Sequence, residues 1–574
     1  MLEGLEISIV SYSEIIKEKK YYSRFESEFF TKKNNILFNR IISKNFKFLD
    51  EILFLTDGEH GNAKTSAIGF AKYYGARNVL SGILDDNNVE FITEDHQKRL
   101  QKSKLEKNDI LISCVGANIG FASIVPNDVG EANIVRNVAL MRSKSDNINN
   151  HYLLAYFLSK YGKTLFVRMA TGNAQPLVSL EYIKTIPIFI PSLQFQKKIE
   201  LLIEEAKGSL KQSQQTYAQA EAILLHEIGL MTITFEKPVE KLYTPEELIE
   251  ELENFGVDKV TEFEYIMKYL DDLLENKPWV FEQWSETEQG RKIVKAYIEA
   301  KQKVLEVNEK KIALAEKKLS IHEKNQENLQ NIFKLNAAEK QKTNIKSFKE
   351  SFGTTGRLDA EYYQSKYEII EEIIKNKGYY TISEVFNLLS NASPSNYTET
   401  GTKVIKTKNI RIPTIDIYNL TDHTNEKRIL IQKNDLIFAS MGVGSLGRIS
   451  FIENDIENCT TDGTLRIFRA KKEFQNKNIE IPTLLFLTSK VGQELIYKYV
   501  IGSTGIISIS KENVENLIIP QVSENIASEA TEMVLNSQKL KSKSEQLLSI
   551  AKRAVEMAIE EGEAVALAWI EGKI

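Results

Sequence analysis

The sequence predicts an α+β protein: two duplicated, strand-rich domains separated by long antiparallel coiled-coil helices, with an extra helical insertion. Three observations predict it. Two distant stretches are versions of one another, each duplicate closes on a helix with heptad patterning, and residues 235–341 have no counterpart.

Residues 107–125 read KNDILISCVGANIGFASIV, and residues 433–452 read KNDLIFASMGVGSLGRISFI. Each starts Lys-Asn-Asp, runs into an apolar stretch, breaks at a Gly-rich loop and resumes as a β-rich run. That pattern is strand, tight loop, strand. Lys107 and Lys433 are 326 positions apart, as are Gly116 and Gly442. A period this long marks a duplicated domain, larger than any solenoid unit.

The duplication extends in both directions. Upstream, RFESEFF at 24–30 matches RLDAEYY at 357–363, and both precede a helix-like segment. GFAKYYGARNV at 69–79 parallels GTKVIKTKNI at 401–410, each ending in a basic residue, Asn and a β-branched residue. Downstream, 151–161 and 482–491 read as short helices. MATG at 169–172 and GSTG at 502–505 read as exposed loops, and each copy closes on an apolar run ending in Pro191 or Pro520. One copy is therefore domain-sized.

Each closing Pro opens a long helix. Ile199, Ile203, Ala206, Leu210, Ser213, Tyr217, Ala220 and Leu224 follow alternating steps of four and three, as do Ile526, Ala530, Met533, Ser537, Leu540, Ser544, Leu547, Ala551, Ala554 and Ala558. This is a coiled-coil seam, and neither helix can bury it alone. The two helices are expected to pack on each other. The alternative is that each docks only on its own domain. The unduplicated middle reads as helices at 244–255 and 262–275, then Trp279 and Trp284, then a charge-laced strut from about residue 290 to 335.

At 574 residues the chain is long enough for several domains, and its 42% hydrophobic and 27% charged content is that of a soluble globular protein. No apolar run reaches a membrane span, residues 1–20 lack a signal-peptide layout, and two cysteines build neither a disulfide framework nor a zinc site. A cytoplasmic location is expected. The net charge of −5 is unevenly placed: residues 21–192 carry 21 basic and 17 acidic side chains, and 346–521 carry 22 and 21. Residues 193–345 carry 22 and 28. The two copies are the least acidic parts, which permits a DNA-binding face on each.

Catalytic signatures are weak. Gly442-Val-Gly-Ser-Leu-Gly447 fits a dinucleotide fingerprint, but β-type sequence follows where a helix is required. Tyr161-Gly-Lys-Thr164 ends like a P-loop without its first glycine, His226-Glu227 lacks a second His, and Asp57-Gly-Glu-His60 reads better as a polar loop than as a metal or acid–base site. The Pro-Pro motif of amino-directed DNA methyltransferases and the Pro-Asp pair of a nuclease core are absent. No catalytic or metal residues are assigned.

Candidate DNA contacts are polar and basic residues on paired loops: Lys64, Thr65, Tyr73, Tyr74, Arg77 and Asn78 in the first copy, and Lys403, Lys406, Lys408, Asn409 and Arg411 in the second. Asn118, Thr171, Asn173 and Gln175, with Ser445, Arg448, Ser503 and Thr504, extend the two sets. Arg, Lys, Asn and Gln can bond base edges, and Lys and Thr suit phosphates.

Taken in order and in duplicate, these motifs resemble the specificity subunit of type I restriction-modification enzymes over residues 20–230 and 345–560. The resemblance implies target-recognition domains at 21–192 and 346–521, each reading one half of a bipartite double-stranded DNA target. It implies conserved-region helices at 193–235 and 522–574, beside an N-terminal segment at 1–20 and a helical insertion at 236–345. These helices would set the half-site gap and dock two methyltransferase subunits, which carry S-adenosylmethionine, and restriction and motor subunits would complete the complex. No cofactor is expected on this chain, which would be non-catalytic. The family usually joins its first helix to the second domain by a short link, so the insertion is a departure. The competing readings are a related two-part restriction and methylation enzyme's recognition subunit, an enzyme acting alone, and a protein-only coiled-coil scaffold.

Overall fold

The computed structural model describes residues 24–230, some positions between 324 and 335, and 344–573, apart from gaps at 25, 60, 62, 87–88, 146, 173–175, 345, 352–356, 418–419 and 503–506. The helices expected at 244–255 and 262–275, Trp279, Trp284 and most of the charged strut lie outside the described residues. The chain divides into two compact units, one running to Gln214 and resuming at Lys539, the other spanning Gln215–Gln538.

In the first unit the strands are β1 (Phe46–Phe48), β2 (Leu53–Asp57), β3 (Ala71–Tyr74), β4 (Glu90–Ile92), β5 (Ile110–Ser113), β6 (Ala122–Ile124), β7 (Ala132–Ile134), β8 (Val138–Ser143) and β9 (Pro187–Phe189). They form a four-stranded antiparallel sheet in the order β2-β8-β5-β6, a three-stranded sheet β4-β3-β7 in which β3 and β7 run parallel, and the pair β1-β9.

The second unit holds β10 (Tyr379–Thr381), β11 (Phe386–Leu389), β12 (Thr402–Ile405), β13 (His423–Thr424), β14 (Leu436–Ala439), β15 (Ile449–Phe451), β16 (Cys459–Thr461), β17 (Leu465–Ala470) and β18 (Ile518–Pro520). Its sheets are β11-β17-β14-β15, β13-β12-β16 with β12 and β16 parallel, and β10-β18. Every strand has a counterpart in the same order and direction. The duplication read from the sequence is a duplication of fold.

The Lys-Asn-Asp repeat has a structural cause. Asn108 and Asn434 sit at φ +64° and +70°, the left-handed region that Asn tolerates better than most residues. The Asp that follows is 1% exposed in both copies. Asp109 accepts the Glu106 backbone N–H at 2.7 Å and two bonds from Arg142 of β8, at 2.8 and 2.7 Å. Asp435 does the same with the Gln432 N–H and with Arg469 of β17, at 2.9 and 2.7 Å. Each motif thus enters the central strand through a tight turn locked to its neighbour by a bidentate ion pair.

The stretch at 151–161 is nearly all of one helix and the start of a second. Helix α1 (Asn150–Leu158) stops at Ser159, which caps α2 (Lys160–Arg168) by accepting the Gly162 N–H; α4 (Glu480–Thr488) and α5 (Lys490–Lys498) repeat this through Ser489 and Gly492. A Cβ on Gly162 would overlap the Tyr156 carbonyl oxygen and lie 2.6 Å from Phe157 Cα, and one on Gly492 would overlap Phe486. The P-loop-like Gly162-Lys163-Thr164 is therefore a helix corner. Gly162→Ala is expected to lower unfolding stability by about 1–3 kcal/mol, measured by denaturant titration, because backbone must move. A change within 0.5 kcal/mol would refute this account of the corner.

Helix α3 (Leu193–Glu227) and α6 (Glu524–Glu560) carry the seams. In the first unit Ile199, Ile203 and Ala206 share a core with Leu547, Ala551, Ala554 and Ala558. In the second, Ala220 and Leu224 share one with Ala530 and Val534. The start of one helix packs with the end of the other, so the pair is antiparallel, and the small seam residues allow close approach. Each core also includes the strands and helices of its own copy, so pairing and docking occur together. A short helix, α7 (Glu563–Glu571), adds Ala566 and Ile570 to the first core.

Candidate nucleic-acid interface

In the first unit the loops following β2 and β3 are linked by one carboxylate. Glu90 pairs with Arg77 at 2.7 Å, and the Thr65 hydroxyl and then Arg77 hold its carboxyl below the usual range. Lys64 and Thr65 are exposed on the loop beside it. Asn118 donates to the Ala76 carbonyl at 3.3 Å, and the Gly116 N–H reaches the Pro176 carbonyl. Thr171 pairs with Leu177 on that last loop. Lys64, Thr65, Arg77, Asn118 and Thr171 therefore occupy one linked run of loops.

The second unit repeats the arrangement. Asp422 receives Lys406 at 3.0 Å and Lys408 at 2.8 Å, and Lys408 first, then Lys406, lowers the pKa of its carboxyl. Lys406 also lies 3.7 Å from the centre of the Tyr397 ring. Arg411 is exposed, and its carbonyl accepts the Ser450 hydroxyl of β15 at 2.6 Å. On the loop before β15, Arg448 is exposed and its N–H bonds the Ser445 carbonyl. The Gly442 N–H bonds the Ile507 carbonyl, beside the backbone pair of Ile501 and Ser508. Lys403 is exposed on β12.

Four of the candidates hold the fold instead of facing outward. Tyr74 is fully buried, and its hydroxyl donates to Asp86 at 2.5 Å. Tyr73 is buried beside His96, and burial first, then Glu59, pushes its phenol up to about 12. Asn78 accepts the Gly75 N–H and donates to the Asp85 carbonyl, both at 3.0 Å, and Asn409 accepts the Lys406 N–H at 3.0 Å. The basic-Asn-β-branched match between the copies is thus a shared turn pin. Asn173, Gln175, Ser503 and Thr504 lie outside the described residues.

Sequence reasoning missed Glu90, Asp422 and Tyr397, which organise the loops. Lone side chains on non-matching segments leave no mark in one sequence.

The other motifs resolve structurally. Gly442, Gly444 and Gly447 sit at φ +107°, +73° and +84°, and the chain then enters β15, so the loop does not open a helix as a pyrophosphate fingerprint requires. Glu59 of the Asp57–His60 stretch pairs with buried His96 at 2.6 Å, and His60 lies outside the described residues. Among the described residues, His151, Glu200 and Glu204 offer donor atoms within 4.8 Å of one another. Lys197 already holds Glu200 at 2.7 Å, so an ammonium competes for that place. Burial first, then Lys207, pushes the His151 imidazole down to about 4, which keeps it neutral. No helix among the described residues is long and apolar enough to cross a membrane.

The family model for the type I restriction modification DNA specificity domain matches residues 44–204. Those residues are similar to the DNA specificity domain of type I restriction-modification systems. The chain is similar in sequence to the type I restriction enzyme EcoBI specificity subunit of Escherichia coli, at 29% identity over 127 residues. That alignment covers 22% of this chain and 26% of the relative, so the chain aligns with about a quarter of its length. Two crystal structures are also similar. The S subunit of a type I restriction-modification system from M. genitalium aligns at 12% identity and TM-score 0.34, over 90% of this chain and 95% of that one. The HsdS subunit from Thermoanaerobacter tengcongensis aligns at 10% and 0.24, over 90% and 97%. The resemblance expected from the sequence is borne out, and residues 379–520 repeat the specificity domain strand for strand.

Proposed function

We propose that this chain is the non-catalytic DNA-recognition subunit of a type I restriction-modification complex, working in the cytoplasm. Its two strand-rich copies, 21–192 and 346–521, each read one half of a bipartite double-stranded target. The observation that carries this reading is the duplication of a DNA specificity domain with its loop set: the same pinned turn presents an exposed cation in both copies, Arg77 in one and Lys408 in the other. Duplicated readers on one chain call for a split target, as dimeric readers do.

Lys64, Thr65, Arg77, Asn118 and Thr171 would serve one half-site, and Lys403, Lys406, Lys408, Arg411, Ser445 and Arg448 the other. The ion pairs that now hold Arg77 and Lys408 are solvent-exposed on the cation side, so exchanging a carboxylate for phosphate or a base edge costs little. Helices α3 and α6 would dock two methyltransferase subunits, which would bring S-adenosylmethionine and the methyl-transfer chemistry, and restriction and motor subunits would join them. This chain would hold no cofactor. Its part is to position and select.

Lys64→Ala and Lys403→Ala are each expected to weaken DNA binding by the assembled complex equally on target and non-target duplexes. Each should reduce the slope of log affinity against log salt by about 0.9 if its ammonium meets a phosphate. Fluorescence anisotropy between 50 and 200 mM salt reads this. An unchanged slope in both variants would remove these lysines from the phosphate contacts.

A further inference from the structure

One loop device is duplicated with a change of chemistry at its tip. In the first copy Ser66 and Phe91 exchange backbone bonds at 3.1 and 2.9 Å, the Ser66 hydroxyl donates to the Ile68 carbonyl, and the Phe70 N–H bonds the Ile92 carbonyl at 3.0 Å. In the second, the Thr398 N–H bonds the His423 carbonyl at 2.9 Å and its hydroxyl donates to the Thr400 carbonyl at 2.7 Å. A glycine closes both tips against the neighbouring strand. A Cβ on Gly69 would lie 2.8 Å from Phe91 Cβ, and one on Gly401, at φ +123°, would lie 2.8 Å from the Thr424 carbonyl oxygen. The pattern is Ser/Thr-x-x-Gly at 66–69 and 398–401.

The side chain held out by this device is Ile68 in one copy and Thr400 in the other. Ile68 is 87% exposed, while Ser66 and Phe70 on either side of it are pinned by backbone bonds to β4. A lone surface isoleucine needs no explanation, but a pinned position repeated in both copies does. Lys64 and Thr65 precede it on the same loop, so the tip lies where the backbone contacts proposed above would place it. Among the groups on a DNA groove wall, the one that an aliphatic side chain complements is the 5-methyl of thymine.

We infer that Ile68 selects a thymine methyl within the half-site read by residues 21–192. The assignment rests on the recognition reading above. At Thr400 the same position offers a hydroxyl, so the two half-sites are read with different chemistry at equivalent places.

Methylome sequencing of hosts carrying this gene with its neighbours tests the assignment, comparing wild type with Ile68→Ala. The expected result is a split motif in which the variant loses a required T·A pair at a single position of one half. The other half stays intact. In the purified complex, replacing that thymine by deoxyuridine should weaken wild-type binding about fourfold, the value of one buried methyl, and leave Ile68→Ala unchanged. A variant motif identical to wild type would overturn the assignment while leaving the recognition reading standing. A wild type with no split motif would overturn both. Ile68 is too exposed for the variant to threaten folding, and an unchanged melting temperature verifies that.

Discussion

Asp109→Ala lowers the unfolding stability of the chain by about 3–5 kcal/mol, and Asp435→Ala by a similar amount. Each carboxylate is 1% exposed and is held by a bidentate arginine and a turn N–H. Removing it leaves the arginine in a site built for an ion pair, with an orphaned backbone donor beside it. Replacing both partners, as in Asp109→Leu with Arg142→Met, should recover most of the loss, since the pair's desolvation cost disappears with it. Denaturant unfolding of the full chain reads the single and double variants. A loss under 1 kcal/mol for the single variants would mean that the pair is not what locks the central strand.

The second large effect is at the seam. Ile203 is fully buried in the core that α3 and α6 share in the first unit. Ile203→Asp removes about 1.5–3 kcal/mol of apolar burial and adds a carboxylate without a partner. The expected result is loss of the cooperative thermal transition, whereas the exposed neighbour change Leu201→Asp leaves it near wild type. Equal effects from the two would contradict the seam assignment.

The fold was legible where a physical demand recurs in both copies. Heptad steps in α3 and α6 mark their seam because each burial position must face the partner every three or four residues, and every seam position named from the sequence is buried or half-buried. The Lys-Asn-Asp motif was legible because a left-handed Asn and a buried Asp are needed twice. Its partners Arg142 and Arg469 were not, although Met141-Arg-Ser143 and Phe468-Arg-Ala470 stand at nearly the same spacing. A lone arginine in a strand looks like any solvated one until the sheet places it.

The candidate interface was legible only in outline. Sequence matching treats a shared residue as a shared function, so Asn78 and Asn409 stood out as contacts when their shared role is to pin a turn. Tyr73 and Tyr74, adjacent on β3, are each covered by a separate apolar cluster, which one sequence does not disclose. The opposite error hid Ile68. Under the proposed reading, positions that discriminate between half-sites would differ between the copies, and a search for likeness passes over them.

The most direct test of the two-copy recognition account is domain exchange read by methylome sequencing. Residues 346–521 are replaced by the corresponding copy from another specificity subunit, in a host that carries the neighbouring genes. The account predicts a split methylation motif that depends on this gene, with one half changed by the exchange and the other kept. A motif that changes in both halves, or a methylome indifferent to deletion of the gene, would contradict it.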